Sequence, residues 1–423
     1  MIAGAGYTDR QLSEGEVSEL LTSAFEAVKV DGQRVLIIIP DHTRTAPVPM
    51  LFRQLVSHLS ERTAKLDFLI ALGTHPLMSE EHINRHLGIT AEQRSGQYEK
   101  IGVFNHRWDI PEQLKRIGTI SADELAEVSE GRLRDDVPVI INKMAFEYDR
   151  LIICGPVFPH EVAGFSGGNK YLFPGIAASN IINTSHWLGA LMTNPMINGT
   201  KDTPVRRIID RAAEFVTTDK LCIAFVVKGD GLSGMYIDSP EQAWSAAADL
   251  SDKLHVVYKD RPFKTVLSCA PPMYDDIWVA GKCMYKLEPV VADGGELIIY
   301  APHIKEVSFS HGKLLREIGY HVRDYFVNRW DEFKHYPWGV IAHSTHVRGI
   351  GECTNGHERP RVTVTLATGI DQAECKQIGL AYRDPATIDP TTYADREDEG
   401  VLLVPKAGEM LYRLNNPPAW QVI

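Results

Sequence analysis

Residues 155–187, GPVFPHEVAGFSGGNKYLFPGIAASNIINTSHW, hold two histidines, one lysine and five glycines in a stretch with few other charges. His160 and His186 supply imidazoles that titrate near neutral pH and bind metals when neutral. Lys170 is a nucleophilic amine or a phosphate counter-charge. Glycines permit positive φ and close backbone approach to a ligand, and Ser166-Gly167-Gly168 presents backbone N–H groups suited to a phosphate. The string GGNK is not a Walker A loop, because the G-x-x-x-x-G-K-[ST] spacing and its hydroxyl are missing. A purely structural glycine connection is the alternative. It leaves the clustered histidines and lysine without a reason.

Three upstream segments carry further candidates. In PDHTRTAPVP, residues 40–49, Arg44 offers a planar fork for a carboxylate or phosphate, and Asp41 and Thr43 can hold ligand hydroxyls. The competing reading is a polar turn fixed by the Asp41 side chain. In ALGTHPLMSEEH, His75 precedes a helix start capped by Ser79 with Glu80 and Glu81 in its first turn. Such an N-terminus suits an anion, while a loop histidine bonded to backbone is the plain alternative. His106, in VFNHRWD, is a lone histidine and by itself a weak signal. Downstream, Lys282 sits among apolar and aromatic residues, where an ammonium needs an anionic partner or a shifted pKa, unless it snorkels. His343 and His346, in AHSTHVRGIGE, read as a polar loop after a strand at 339–343, with structure as their role.

These side chains need elements to position them. Short apolar runs at 34–39, 66–72, 137–142, 151–154, 221–227, 265–269, 296–301, 362–367 and 401–404 read as strands, several buried on both faces. Helical patterns at 15–28, 50–62, 179–192, 204–215, 240–253 and 371–379 alternate with them. The alternation predicts an α/β protein with mainly parallel sheets. A chain of 423 residues exceeds what one core serves, so two α/β domains are expected. The polar stretch 259–264 places their boundary, giving 1–262 and 263–423. A net charge of −11 argues against a nucleic-acid face. No basic segment followed by an apolar run opens the chain, and no apolar stretch spans a membrane, so a cytoplasmic protein is expected. Six scattered cysteines without a C-x-x-C pair predict buried free thiols rather than a zinc site.

Together these segments resemble the lactate racemase family, whose members carry a nickel-pincer nucleotide. The most specific part is H-x-x-x-G-[FY]-S-G-G-x-K-x-x-x-P-G followed by a histidine, here His160, Gly164 to Gly168, Lys170, Pro174-Gly175 and His186. Asp41–Arg44, Gly73–His75 and His106 arrive in the family's order, so the likeness runs over nearly the whole chain. The resemblance implies an active site in a cleft between two α/β domains. The N-terminal domain would carry the cofactor-anchoring and acid–base residues, and the C-terminal one would contribute substrate contacts. The implied cofactor is pyridinium-3-thioamide-5-thiocarboxylic acid mononucleotide with nickel, joined covalently to Lys170, with His186 as the protein's metal ligand. Asp41, Thr43, His75, Ser166, Gly167 and Gly168 would help seat the nucleotide. His106 and His160 would be the paired acid–base residues, and Arg44 and Lys282 would face the substrate. The implied activity is racemisation or epimerisation at C2 of a 2-hydroxy acid, and the implied partners are that substrate and the cofactor-synthesis enzymes.

The chain departs from lactate-specific members where a Tyr-Gln pair precedes the lysine matching Lys282. Trp278 and Val279 stand there, and Pro76 follows the GTH motif in place of Arg. A substrate other than lactate is therefore expected, with Trp278 on its wall. Asp275 and Asp276, if they line the site, would favour hydroxyl-bearing over acidic substrates. Two other readings stand beside this one. The first is a non-catalytic binder of a nucleotide or phosphorylated metabolite. The second is a zinc-dependent hydrolase using His106, His160 and His186, disfavoured because no HExxH accompanies them.

Overall fold

The computed structural model describes residues 1–422. The chain forms two units. The first comprises Met1–Phe158, Phe165–Ile182 and Arg206–Leu254. The second comprises Pro159–Gly164, Asn183–Val205 and the chain from His255 onward. Short segments well ahead of the expected 262/263 boundary thus go with the second unit.

The first unit is built on seven strands: β1 (Ala3–Gly6), β2 (Arg34–Pro40), β3 (Lys65–Ala71), β4 (Gly102–Asn105), β5 (Arg150–Pro156), β6 (Asp219–Lys228) and β7 (Gly231–Asp238). Their order is β1-β7-β6-β5-β2-β3-β4. Five of them, β6-β5-β2-β3-β4, are parallel, and β7 and β1 close one edge antiparallel. Val35–Ile39 is buried throughout, as a central parallel strand covered on both faces requires. Its odd-numbered residues pack with Leu21 and Phe25 of helix Glu14–Val28 and with Phe52 and Leu55 of helix Val48–Leu59. The first of these helices starts on a capping box, Ser13 with Glu16. Val137–Asn142 is a strand as expected, but it pairs antiparallel with Leu114–Ile120 in a separate ribbon.

The second unit holds five parallel strands: β8 (Phe263–Cys269), β9 (Val291–Ala301), β10 (Thr363–Thr368), β11 (Ala381–Tyr382) and β12 (Val401–Val404), in the order β11-β10-β9-β8-β12. Leu267, Ile298 and Ala367 meet in its core. The α/β class with mainly parallel sheets is what the alternating pattern predicts.

One expected strand is wrong. Residues 339–343 lie in the helix Trp338–Arg348, entered from Pro337 and ended at Gly349. The short apolar run Val340–Ala342 has no readable period, and the helix is buried from Val340 to Val347, so no polar stripe marks it. Among the described residues, no helix is long and apolar enough to cross a membrane. All six cysteines are free, and all but Cys269 are buried.

Candidate active site residues

In the first unit the candidates gather at the carboxyl ends of adjacent parallel strands, where open α/β sheets present ligand-binding loops. Asp41–Arg44 follow β2, Gly73–His75 follow β3, His106 follows β4, and Ser166 to Lys170 lie in the part of the connection after β5 that returns to this unit. Asp41 is buried and fully engaged. Its Oδ1 accepts from the Thr43 amide at 3.1 Å and the Thr43 hydroxyl at 2.6 Å, and its Oδ2 from His75 Nδ1 at 2.6 Å. Burial opposes its charge, but these bonds and the nearby Arg44 hold it well below the usual carboxylate range. The turn reading therefore describes Asp41, which fixes the loop and joins it to the next one. Arg44 is half-buried, and Thr43 is exposed.

His106 is fully buried. Its Nε2 lies 3.1 Å from the Ala177 carbonyl, and its Nδ1 3.1 Å from the Asn142 side-chain amide. Asn142 Oδ1 accepts from the Met144 amide at 3.0 Å, which turns the Asn142 NH2 toward His106. That network assigns the proton to Nε2 and the lone pair to Nδ1. Burial pulls the ring's pKa down to about 4, against the Ala177 carbonyl, which favours the charged form.

The loop after β5 is tightly held. Ser166 accepts from the Phe158 amide and donates to the Pro156 carbonyl, at 3.0 and 3.2 Å. Arg206 bonds the carbonyls of Phe165 and Gly167 and lies over the Trp244 ring, whose Nε1 donates to Ser166 O at 2.9 Å. Gly168, at φ +58°, passes so close to Trp244 that an added Cβ would lie 2.8 Å from that residue's Cβ. The backbone of Lys170 is fixed at both ends, its N–H on Gly167 O at 3.3 Å and its C=O accepting from Gly175 N at 3.0 Å. Its side chain is half-buried. Glycines thus serve packing here, and the lysine rides on a rigid platform.

The second unit carries the remaining candidates. His160 is buried, and its Nδ1 accepts from the Val162 amide at 3.1 Å, which places the proton of the neutral ring on Nε2. The Glu161 carboxylate lies 3.7 Å from Nδ1. Burial opposes the charge on Glu161, but His160, Lys286 and Lys282 hold it far below its ordinary value. Lys286 is itself buried and donates to Pro159 O at 2.5 Å, bracing the backbone beside His160. Lys282 opens a short helix with its ammonium 5.2 Å from the centre of the Tyr274 ring. Trp278 is clamped between His311 and His343, with ring centroids at 4.4 and 4.1 Å. Asp276 is consumed structurally, capping the Val279 amide at 2.9 Å and accepting from the Phe309 amide at 3.1 Å. Asp275 is exposed. His186 is half-buried on helix Ser179–Met192, its Nδ1 3.4 Å from Ser185 Oγ. His343 and His346 are not on a loop. They stand one turn apart on helix Trp338–Arg348, and burial lowers their pKa values to about 3 and about 4.

Sequence reading missed Asn142, Glu161 and Lys286. Asn142 gives no signal, since its partner His106 is 36 residues away. Glu161 and Lys286 were visible: one adjoins His160, and the other follows Lys282 at helical spacing. Among the described residues no three His, Cys, Asp or Glu side chains converge to hold a metal ion. The half-buried imidazole of His186 alone could fill one position on a metal whose other donors arrive with an organic group.

A family model for the lactate racemase N-terminal domain matches residues 13–197. A lactate racemase from Thermoanaerobacterium thermosaccharolyticum is 27% identical over 301 residues, covering 66% of this chain and 61% of that protein. The match therefore spans less than two thirds of that relative. A lactate racemase from Lactiplantibacillus plantarum is 26% identical over 326 residues, covering 71% of this chain and 69% of the relative. The crystal structure of a protein from Thermotoga maritima aligns with a TM-score of 0.86 at 33% identity, covering 97% of this chain and all of that one. The lactate racemase apoprotein from Thermoanaerobacterium thermosaccharolyticum shares the fold, with a TM-score of 0.69 at 19% identity over 95% of this chain and 93% of that one. Residues 13–197 thus belong to the lactate racemase N-terminal domain family, and the chain is similar to lactate racemases over about two thirds of its length.

Proposed function

We propose that this chain is a racemase or epimerase that inverts C2 of a 2-hydroxy acid other than lactate, using a nickel-pincer nucleotide. The observation that carries the reading is the family motif itself, with Lys170 on a fixed platform and buried histidines at 106 and 160 that both keep a lone pair on Nδ1. Lys170 would hold the cofactor covalently and His186 would ligate its nickel. When bound, that group supplies the acceptor and donor of the C2 hydride.

The chain's own residues account for the protons and the orientation. His106 keeps its Nε2 proton on the Ala177 carbonyl, so Nδ1 is the nitrogen that takes the substrate's hydroxyl proton. The Asn142 N–H occupies that lone pair and must yield to the substrate. His160 offers an Nε2–H, and Glu161 is the counter-charge that an imidazolium there needs. Inversion requires a base for each enantiomer: the lone pair of the neutral ring is Nδ1 in both histidines, met by the Asn142 amide in His106 and by the Val162 amide in His160, and each amide must yield for its ring to take a proton. Arg44 and Lys282 would hold the substrate carboxylate. Trp278, fixed by two rings, would form a rigid wall for the C2 substituent. Asp41 and His75 would shape the nucleotide-seating loops, with Thr43, Ser166, Gly167 and Gly168 beside them.

Co-expression with cofactor-synthesis enzymes tests this. Intact mass should show an adduct that disappears in Lys170→Ala, with nickel near one per chain. Chiral chromatography of a 2-hydroxy acid panel should show interconversion that His106→Ala and His160→Ala abolish while nickel stays bound. An unmodified chain that still binds nucleotide would instead make it a non-catalytic binder, and a preference for lactate would overturn the reading of Trp278.

A further inference from the structure

The second unit contains a cavity of about 420 Å³ that none of the roles above uses. That volume suits a small metabolite. Its floor is polar and sealed: Glu288, Asn194 and His346 line it and are buried. Its wall and rim carry Arg323, Arg359 and Arg361, of which Arg359 is exposed.

Several of these groups have unused bonding capacity. Glu288 Oε1 accepts from the Ile350 amide at 2.7 Å, but Oε2 has no hydrogen-bond partner. The same holds for His346 Nε2 and Arg361 Nε. Buried polar atoms are nearly always satisfied in native proteins, so three unsatisfied ones around one cavity point to a ligand. Arg361 is held in place by the carbonyls of Val291 and Glu288, at 2.6 and 2.7 Å, by Asp293, and by the Trp420 ring beneath its guanidinium at 4.2 Å. Arg323 is paired with Asp324 and bonded to Leu191 O. Thr193, also in the wall, is a β-branched residue at φ +77°, a conformation such residues rarely adopt outside functional sites.

We infer that this cavity binds a small hydroxylated anion, with its carboxylate or phosphate at the arginines and a hydroxyl at Glu288 and His346. A planar guanidinium suits either head group. An unpaired carboxyl oxygen on the floor suits a hydroxyl donor and disfavours a second acidic group. Exposed Glu352 on the rim works in the same direction. His346 also feels the charges of Glu161 and His186, so the cavity borders the residues already described without containing them.

Isothermal titration of the purified chain with 3-hydroxybutyrate, glycerol 3-phosphate and succinate, none of them a 2-hydroxy acid, tests this inference independently of the racemase reading. 3-Hydroxybutyrate or glycerol 3-phosphate should bind, the stronger of the two naming the head group, and succinate should bind more weakly than either. Arg359→Ala lies on the surface and should keep the melting temperature while weakening binding about 10-fold or more, the loss of one charge-assisted contact. Glu288→Gln should weaken it less. Lys282→Ala should leave it unchanged. Absence of heat with all three probes overturns the inference. So does binding that survives Arg359→Ala but is lost in Lys282→Ala, which would put the ligand at the proposed substrate site.

Discussion

His106 is a buried ring with both nitrogens engaged, which in most proteins marks a structural histidine. Its hydrogen bonds also suit the proposed role of base, because a carbonyl holds the Nε2 proton and the remaining lone pair meets only a neutral amide. Asn142→Asp should therefore place a carboxylate at Nδ1 and raise the pKa of His106 from about 4 by roughly 1–3 units, read from the ring proton shift against pH. An unmoved titration would mean that Asn142 does not control this ring. Asp41 carries three bonds, two within its own turn and one to the next loop. Asp41→Ala should cost roughly 2–3 kcal/mol in urea unfolding by orphaning these donors. Trp278→Ala should raise KM more than it lowers kcat, since the clamped ring is assigned to binding. The residue types at these positions were legible in the sequence. Their engagement was not, because Asn142, His106 and Ala177 meet only through the fold.

At the scale of elements, central strands and long helices were readable because burial on both faces, or on one stripe, leaves a period in the residue order. Helix Ser179–Met192 falls where the pattern puts it. Helix Trp338–Arg348 was misread as a strand because a helix buried nearly all round carries no stripe. That error moved His343 and His346 from a helix to a loop and hid the stacking of His343 on Trp278. The glycine-rich connection was legible as special, but its glycines answer largely to neighbouring protein. Gly164 shows this most clearly: at φ +78°, an added Cβ would fall 1.8 Å from the Thr200 carbonyl oxygen. Gly164→Ala should therefore force the backbone apart beside His160. A loss of at least about 3 kcal/mol in urea unfolding is expected, from strain and overpacking together. A variant of unchanged stability would contradict that packing.

For the whole molecule, three buried histidines make stability sensitive to acid. The folded pKa values of His106 and His346 are about 4 and that of His343 about 3, all below the ordinary 6.5. The unfolded chain thus takes up protons first as pH falls. Their contribution is complete above about pH 6.5 and is lost as pH drops toward 4, at roughly 1.4 kcal/mol per histidine and pH unit. Urea midpoints from pH 8 to 5 should fall accordingly, and His343→Phe, which keeps a ring against Trp278, should flatten the curve by one histidine's share. The same slope in the variant would remove His343 from the account. Two domains were expected from length and their α/β class from the alternating pattern, but the way the chain is shared between them leaves no local mark in the sequence. That sharing has a consequence on the ribosome. Residues 159–164 and 183–205 emerge in the first half of synthesis, yet they belong with partners that are translated after residue 254. Until then Trp187, which ends stacked on Trp330 with ring centroids 4.9 Å apart, has no ring to cover it. The nascent chain carries that apolar segment uncovered through about a third of its translation, so a stalled or truncated product is sticky rather than a functional half.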